Sequence, residues 1–152
     1  GIMLAKAGCS DEVIVAGILH DTVEDTSITL GNIRDMFGDQ VAIIVEGASE
    51  PDRALPWKDR KKHTIEFLET APLDIRLVTC ADKLNNIRTI DSDYKRIGDK
   101  IWARFNRGKE DQEWYYRGLV NVLCNRPDNR SHSQFFRQFK NKVEEVFCGG
   151  NI

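Results

Sequence analysis

A histidine and an aspartate are neighbours in the segment His20-Asp21-Thr22-Val23-Glu24-Asp25-Thr26, directly after the apolar pair Ile18-Leu19. Adjacent residues of these types can offer an imidazole nitrogen and a carboxylate oxygen to one divalent cation. Glu24 and Asp25 follow at a spacing of four from His20 and Asp21. If helical winding persists, they share a face one turn beyond the two ligands, where a carboxylate can reach the cation's water and take its proton. The same residues also fit a plainer arrangement. His20 can be a buried histidine satisfied by hydrogen bonds, and the acids a solvated helix end.

A second constellation lies in Cys80-Ala81-Asp82-Lys83-Leu84-Asn85-Asn86. Asp82 stands among Leu77, Val78, Cys80 and Leu84, and a carboxylate on an apolar helix face must be paired, hydrogen-bonded or metal-bound to tolerate burial. A cation is the natural partner. Asn86, one turn on, can donate its amide to a phosphate oxygen or to a ligand carboxylate, or remain a surface asparagine. Further along, Lys95 to Lys109 holds six basic residues against Asp99 alone. On a helix, Arg96, Lys100, Arg104 and Arg107 share one face and Ile97, Ile101, Trp102 and Phe105 the other. Such a stripe, with Lys109 at its end, can grip phosphate groups through charge-assisted hydrogen bonds. Trp114, Tyr115 and Tyr116 can stack on a base or bond a ribose, the alternatives being a solvated face and ordinary core packing.

Helices must carry all of these groups. Ser10 is placed as an N-cap before Asp11 and Glu12, and apolar residues then recur at helical spacing as far as His20. Thr29 caps a short helix that Gly38 ends, and Asp39 caps the next, through Val41, Ile44 and Val45. Ser49 to Pro56 reads as a loop, Trp57 to about Thr70 as a helix, and Pro72 as the opening of a long helix through Asp82 and Asn86. Further helices are predicted at about Tyr94 to Arg107, Lys109 to Leu123 and Ser133 to Phe147, with a loop over Asn125 to His132. Strand-type alternation is absent, so the expected class is all-α, a single domain of about seven to eight helices.

The 152 residues make one ordinary domain, and the run Val13 to Leu19 is far too short to cross a bilayer. Cys9, Cys80, Cys124 and Cys148 are scattered without a CxxC pair, so they read as free thiols of a reducing, cytoplasmic compartment. Charge divides sharply: residues 1–56 hold 3 basic and 10 acidic groups, whereas residues 57–152 hold 19 and 14. One half suits a cation and the other an anion, though solvated helix faces would look the same. The net charge of −2 and the absence of any groove-entering motif argue against nucleic acid as partner.

The run Ile18 to Thr26, followed by Ala81-Asp82-Lys83-Leu84-Asn85-Asn86-Ile87-Arg88, resembles the HD-domain metal-dependent phosphohydrolases, and within them the alarmone hydrolases. The similarity covers about Gly1 to Arg88, weakens to Leu123, and leaves residues 124–152 as a loop and helix packed on an HD-type domain over 1–123. The resemblance implies a manganese ion held by His20, Asp21 and Asp82, with Glu24 and Asp25 activating the water. It implies a phosphorylated nucleotide as substrate, such as guanosine 3′,5′-bis(diphosphate), contacted by Asn86. It also places the basic segment Arg53 to Lys62, including Lys61, near the nucleotide as a lid. The family's first histidine should stand upstream of the nineteen residues that precede His20, none of which is His, so the chain is expected to be a fragment or a natural truncation. His63 and His132 are the candidates to substitute. Thr79 stands where the alarmone branch usually has a basic residue, which keeps open an HD hydrolase of another phosphorylated metabolite. A helical binding or regulatory module of impaired activity is the third reading.

Overall fold

Short-range signals decide where most helices begin. Ser10 accepts from the Val13 amide (3.5 Å), and Thr29 and Asn32 form a reciprocal capping box, each satisfying backbone N–H groups that a helix start leaves open. The computed structural model describes residues 1–50, 54–105 and 107–148, and within these it is helical without strands. The helices are α1 (Ile2–Lys6), α2 (Asp11–Leu19), α3 (Thr22–Asp25), α4 (Leu30–Phe37), α5 (Asp39–Ala48), α6 (Trp57–Leu68), α7 (Leu73–Ile97), α8 (Lys109–Cys124) and α9 (Ser133–Cys148). Two 3-10 segments, Gly98–Arg104 and Pro127–His132, complete the order. The all-α expectation is borne out.

Three boundaries differ from the sequence reading. Gly38, not Asp39, caps α5, and Asp39 is its first residue. The stretch Asn125 to His132 is not plain loop, because Pro127 opens a 3-10 turn there. The helix expected over Tyr94 to Arg107 does not exist as one element: α7 continues to Ile97, and Gly98 then takes φ +61°, a left-handed conformation that glycine alone adopts cheaply. A 3-10 segment follows, in which residues three apart eclipse, so the one-sided register of the cationic stripe is lost.

The chain divides into two compact units, Gly1–Asp82 and Lys83–Ile152. In the first, α2 and α4 pack on α5 and α1 on α2, around Leu4, Val13, Ile33, Ile44 and Val45, all nearly inaccessible to solvent. Gly17 makes the α1–α2 approach possible, since a Cβ there would lie 2.3 Å from Leu4 Cδ1. In the second unit α8 packs on α9, and the Pro127–His132 turn on α9. Phe136, Phe139 and Val143 bury the apolar face of α9 with Leu119 and Leu123 of α8, and truncating such a phenylalanine costs about 3–5 kcal/mol. Among the described residues no helix is long and apolar enough to cross a membrane. All four cysteines are free thiols.

Candidate metal and phosphate site

His20 sits just past the last turn of α2, and its Nδ1 lies 3.0 Å from the Gly17 carbonyl. A carbonyl only accepts, so Nδ1 carries the proton and Nε2 is left with its lone pair. Nε2 points at carboxylates: Asp21 Oδ2 is 3.2 Å away and Asp82 Oδ1 3.4 Å. Neither oxygen lies along a hydrogen-bond direction, and Nε2 is buried without a hydrogen-bond partner. An imidazole nitrogen set between two carboxylates is an arrangement that a shared cation suits. Donors on one metal at bond lengths near 2.1 Å are about 3.0–3.4 Å apart, which is the spacing seen around Nε2. Among the described residues no group of three or more His, Cys, Asp or Glu side chains is arranged to hold a metal ion as it stands, although His20 Nε2 lies beside both Asp21 and Asp82. Their chemistry fits a divalent cation, with a backbone carbonyl orienting the imidazole as metal-bound histidines usually require.

The electrostatics lead to the same place. The Asp82 carboxylate raises the His20 pKa above the ordinary imidazole value, with burial working against it. Asp21 is also raised: burial contributes most, His20 opposes it, and the negative charges of Asp82, Asp25 and Glu24 add to it. Asp82, Asp25 and Glu24 therefore bring negative charge into the volume around Asp21. Asp82 reaches that volume from α7, between the fully buried Cys80 and Leu84, with its own side chain 21% exposed.

Glu24 and Asp25 arrive by a route slightly different from a continuous helix. α2 ends at Leu19 and α3 begins at Thr22, but the Asp25 amide still bonds the Asp21 carbonyl (2.9 Å), which preserves the spacing of four. Asp25 is exposed, whereas Glu24 is half-buried. Glu24 Oε1 accepts from the Glu50 amide at 2.7 Å, so the chain leaving α5 fixes this side chain. The Glu50 carboxylate in turn pairs with Arg60 Nη1 (2.7 Å) and with Lys61 on α6. Sequence reasoning missed Glu50, and it took Arg60 only as part of the basic segment Arg53 to Lys62; the only signal for Glu50 was an acid at the head of a loop that leads into a basic helix. It also missed Arg76, wholly buried within α7's apolar run, whose Nε donates to the Ala71 carbonyl at 3.2 Å and so secures the turn before α7.

The remaining expectations fare unevenly. Lys61 is tied to Glu50 and lies 6.0 Å over the Trp57 ring, while Arg53, the start of the expected lid, lies outside the described residues. Asn86 is exposed on α7, one turn past Asp82. Arg104 pairs with Asp93 at 3.1 Å, as Arg96 does at 2.6 Å, so two members of the supposed stripe neutralise one acid instead of lining an open face. Arg107 is exposed in a bend, and Lys109 lies 5.8 Å over the Trp102 ring at the start of α8. Tyr115 is corrected from a stacking platform to core: it is 4% exposed and packs at 5.9 Å against Tyr116. His63 is exposed on α6, and His132 belongs to the second unit.

A histidine-aspartate pair at the end of one helix and an aspartate on a second define a motif, and the profile of the family described as HD domain matches residues 2–112. The chain belongs to the HD-domain family. Among curated HD relatives, it is 39% identical to guanosine-3′,5′-bis(diphosphate) 3′-pyrophosphohydrolase MESH1 of Danio rerio over 103 residues, covering 68% of this chain and 54% of that protein. The Homo sapiens protein of the same name is 38% identical over 114 residues, with coverages of 74% and 60%. The chain thus spans little more than half the length of these relatives. The crystal structure of lmo0812 from Listeria monocytogenes superposes with TM-score 0.89 at 37% identity, covering 96% of this chain and 94% of that one. A structure reported for a metazoan ortholog of SpoT that hydrolyzes ppGpp superposes with TM-score 0.68 at 23% identity, over 99% of this chain and 76% of that one, and shares the HD fold.

Proposed function

We propose that this HD domain, over residues 1–123 with 124–152 packed on α8, is a manganese-dependent phosphohydrolase of the cytoplasm. Its substrate on this reading is guanosine 3′,5′-bis(diphosphate), from which it removes the 3′-pyrophosphate. The observation that carries the reading is the His20 imidazole, its Nδ1 bonded to the Gly17 carbonyl and its Nε2 turned between two carboxylates. The identity to the bis(diphosphate) hydrolases supports the choice of substrate. His20, Asp21 and Asp82 would hold the cation, which supplies positive charge and Lewis acidity at the phosphoryl group. Glu24, oriented by the Glu50 amide, takes the proton of the attacking water, with Asp25 as the neighbouring base. The water oxygen bonds to the phosphorus next to the ribose, the P–O bond to the 3′-oxygen breaks, and that oxygen leaves with a proton. Asn86, Lys61, Arg104, Arg107, Lys109 and Tyr115 were the sequence candidates for holding the nucleotide. Of these, the exposed Asn86 and the Lys61 beside Glu50 retain that role in the proposal.

Incubation of the full chain with guanosine 3′,5′-bis(diphosphate) and Mn²⁺ should release pyrophosphate and leave GDP, and chelation should stop it. Release of inorganic phosphate alone, or no turnover while Mn²⁺ binds, would reject the substrate assignment. Thr79, buried on α7 where a basic residue is usual in the resembling branch, favours a second reading, hydrolysis of another phosphorylated metabolite. Faster turnover of a different nucleotide in the same assay would select it.

A further inference from the structure

The second unit holds a cleft that no part of the proposed hydrolase uses. It has a volume of about 560 Å³ and lies where the end of α8, the Pro127–His132 turn and the first half of α9 meet. That volume is within the range of small-molecule sites. Its charged lining is Arg126, Arg130, Arg137 and Lys140 against Glu144 alone, in a chain whose net charge is −2. Arg126 pairs with Asp128 at 3.7 Å and Lys140 with Glu144 at 4.0 Å. Among the described residues no carboxylate lies within ion-pair distance of Arg130 or Arg137, whereas Asp93 pairs with both Arg96 and Arg104.

The cleft is also built rather than incidental. Asn129, 4% exposed, donates its side-chain amide to the Leu123 carbonyl at 2.7 Å and pins the turn to the end of α8. Cys124 donates its thiol to the Phe136 carbonyl at 3.4 Å, joining α8 to α9 beneath the cleft. Burial pushes that thiol up to about 11, so it adds no negative charge at neutral pH. Cations held at a concave surface focus their field and raise the local concentration of anions, and arginine forks suit phosphate oxygens in pairs. The lining offers no exposed aromatic ring for a base, since Phe136 is 1% exposed.

We propose that this cleft binds a multiply charged phosphate compound, an oligophosphate or a phosphorylated small molecule, through Arg130 and Arg137 with Arg126 and Lys140 in support. The site shares no residue with His20, Asp21 and Asp82, and it does not depend on the proposed hydrolysis. The test is calorimetric titration of the full chain with inorganic tripolyphosphate at low ionic strength, in metal-free buffer so that no phosphate is held through a cation. Arg130→Gln/Arg137→Gln should weaken binding at least tenfold with an unchanged melting temperature, since both residues are exposed. Arg130→Lys/Arg137→Lys should restore part of the loss, and Arg96→Gln, on the Asp93 pair, should leave the affinity as in the wild type. Equal affinity in the Gln double variant, or no measurable binding by the wild-type chain, would overturn the site. Either result is independent of whether guanosine 3′,5′-bis(diphosphate) is hydrolysed.

Discussion

Two aspartates, Asp21 in the first unit and Asp91 in the second, are shifted in opposite directions by their neighbours. Burial raises Asp21 and, against His20, the carboxylates of Asp82, Asp25 and Glu24 raise it further. Burial also works to raise Asp91, but hydrogen bonds from Lys95 (2.9 Å) and Lys142 (3.0 Å) outweigh it, and the result is a lowered pKa. Glu145 accepts from both of those lysines and is lowered by them. In the second unit Asp91 and Glu145 have been given cations by the chain itself, as charges that serve only the fold should be. In the first unit the neighbours that act on Asp21 are mostly carboxylates, and Asp82, Asp25 and Glu24 all raise it. Like charges held close together cost stability and persist where they have a function.

The largest expected effect tests whether that cluster does chemistry. Glu24→Gln keeps an oxygen to accept the Glu50 amide, so its position should hold while its basicity is lost. Turnover of the bis(diphosphate) should fall by about 10²–10⁴, the usual worth of a positioned base, with little change in KM, since the role is expressed in the transition state. The Mn²⁺-dependent rise in melting temperature should remain. Wild-type turnover in this variant would remove Glu24 from the proton path.

Asp82→Asn sharpens the contrast between binding and folding. A cation that binds only the folded chain at a hundredfold excess over its Kd stabilises by about 2.7 kcal/mol, or roughly 5–10 °C at this size. The variant should lose most of that rise. Without metal the same substitution removes one of the repelling charges beside Asp21, so its melting temperature should equal or exceed that of the wild type. An equal response of both proteins to Mn²⁺ would take Asp82 out of the donor set, and a large metal-free loss would show that the carboxylate serves the fold.

What the sequence made legible follows from range. Ser10, Thr29 and Gly38 act on backbone groups within four residues, so a linear reading finds them, and the spacing of His20 to Asp25 survives because one backbone hydrogen bond preserves it. The Glu24–Glu50 bond joins residues 26 apart and then passes to α6 through a carboxylate, and nothing in either segment announces the other. The cationic stripe failed for a subtler reason. Its apolar and basic residues do alternate at helical spacing, but the backbone at Gly98 overrides the pattern, and Asp93 captures two of its cations. Periodicity records which residues suit a helix, and a single glycine in a left-handed conformation is enough to spend that signal on another shape.

The smallest effect, and the one that completes the comparison, belongs to Asp91. It is 13% exposed and bridges α7 to α9 through Lys142, so Asp91→Asn should cost about 1.5 kcal/mol at neutral pH, the worth of a charged hydrogen bond. The sign with pH follows from its lowered pKa. A depressed carboxylate contributes its stability in full above the unfolded value of about 4 and loses it as pH falls through the folded value. The gap in melting temperature between wild type and Asp91→Asn should therefore be constant from pH 8 to pH 5 and close below pH 4. Asp21 should behave in the opposite sense in metal-free buffer: with its pKa raised, its ionised form disfavours the fold, and Asp21→Asn should gain stability relative to wild type as pH rises through that raised value. If both variants followed the same trend, the contrast between Asp21 and Asp91 would fail.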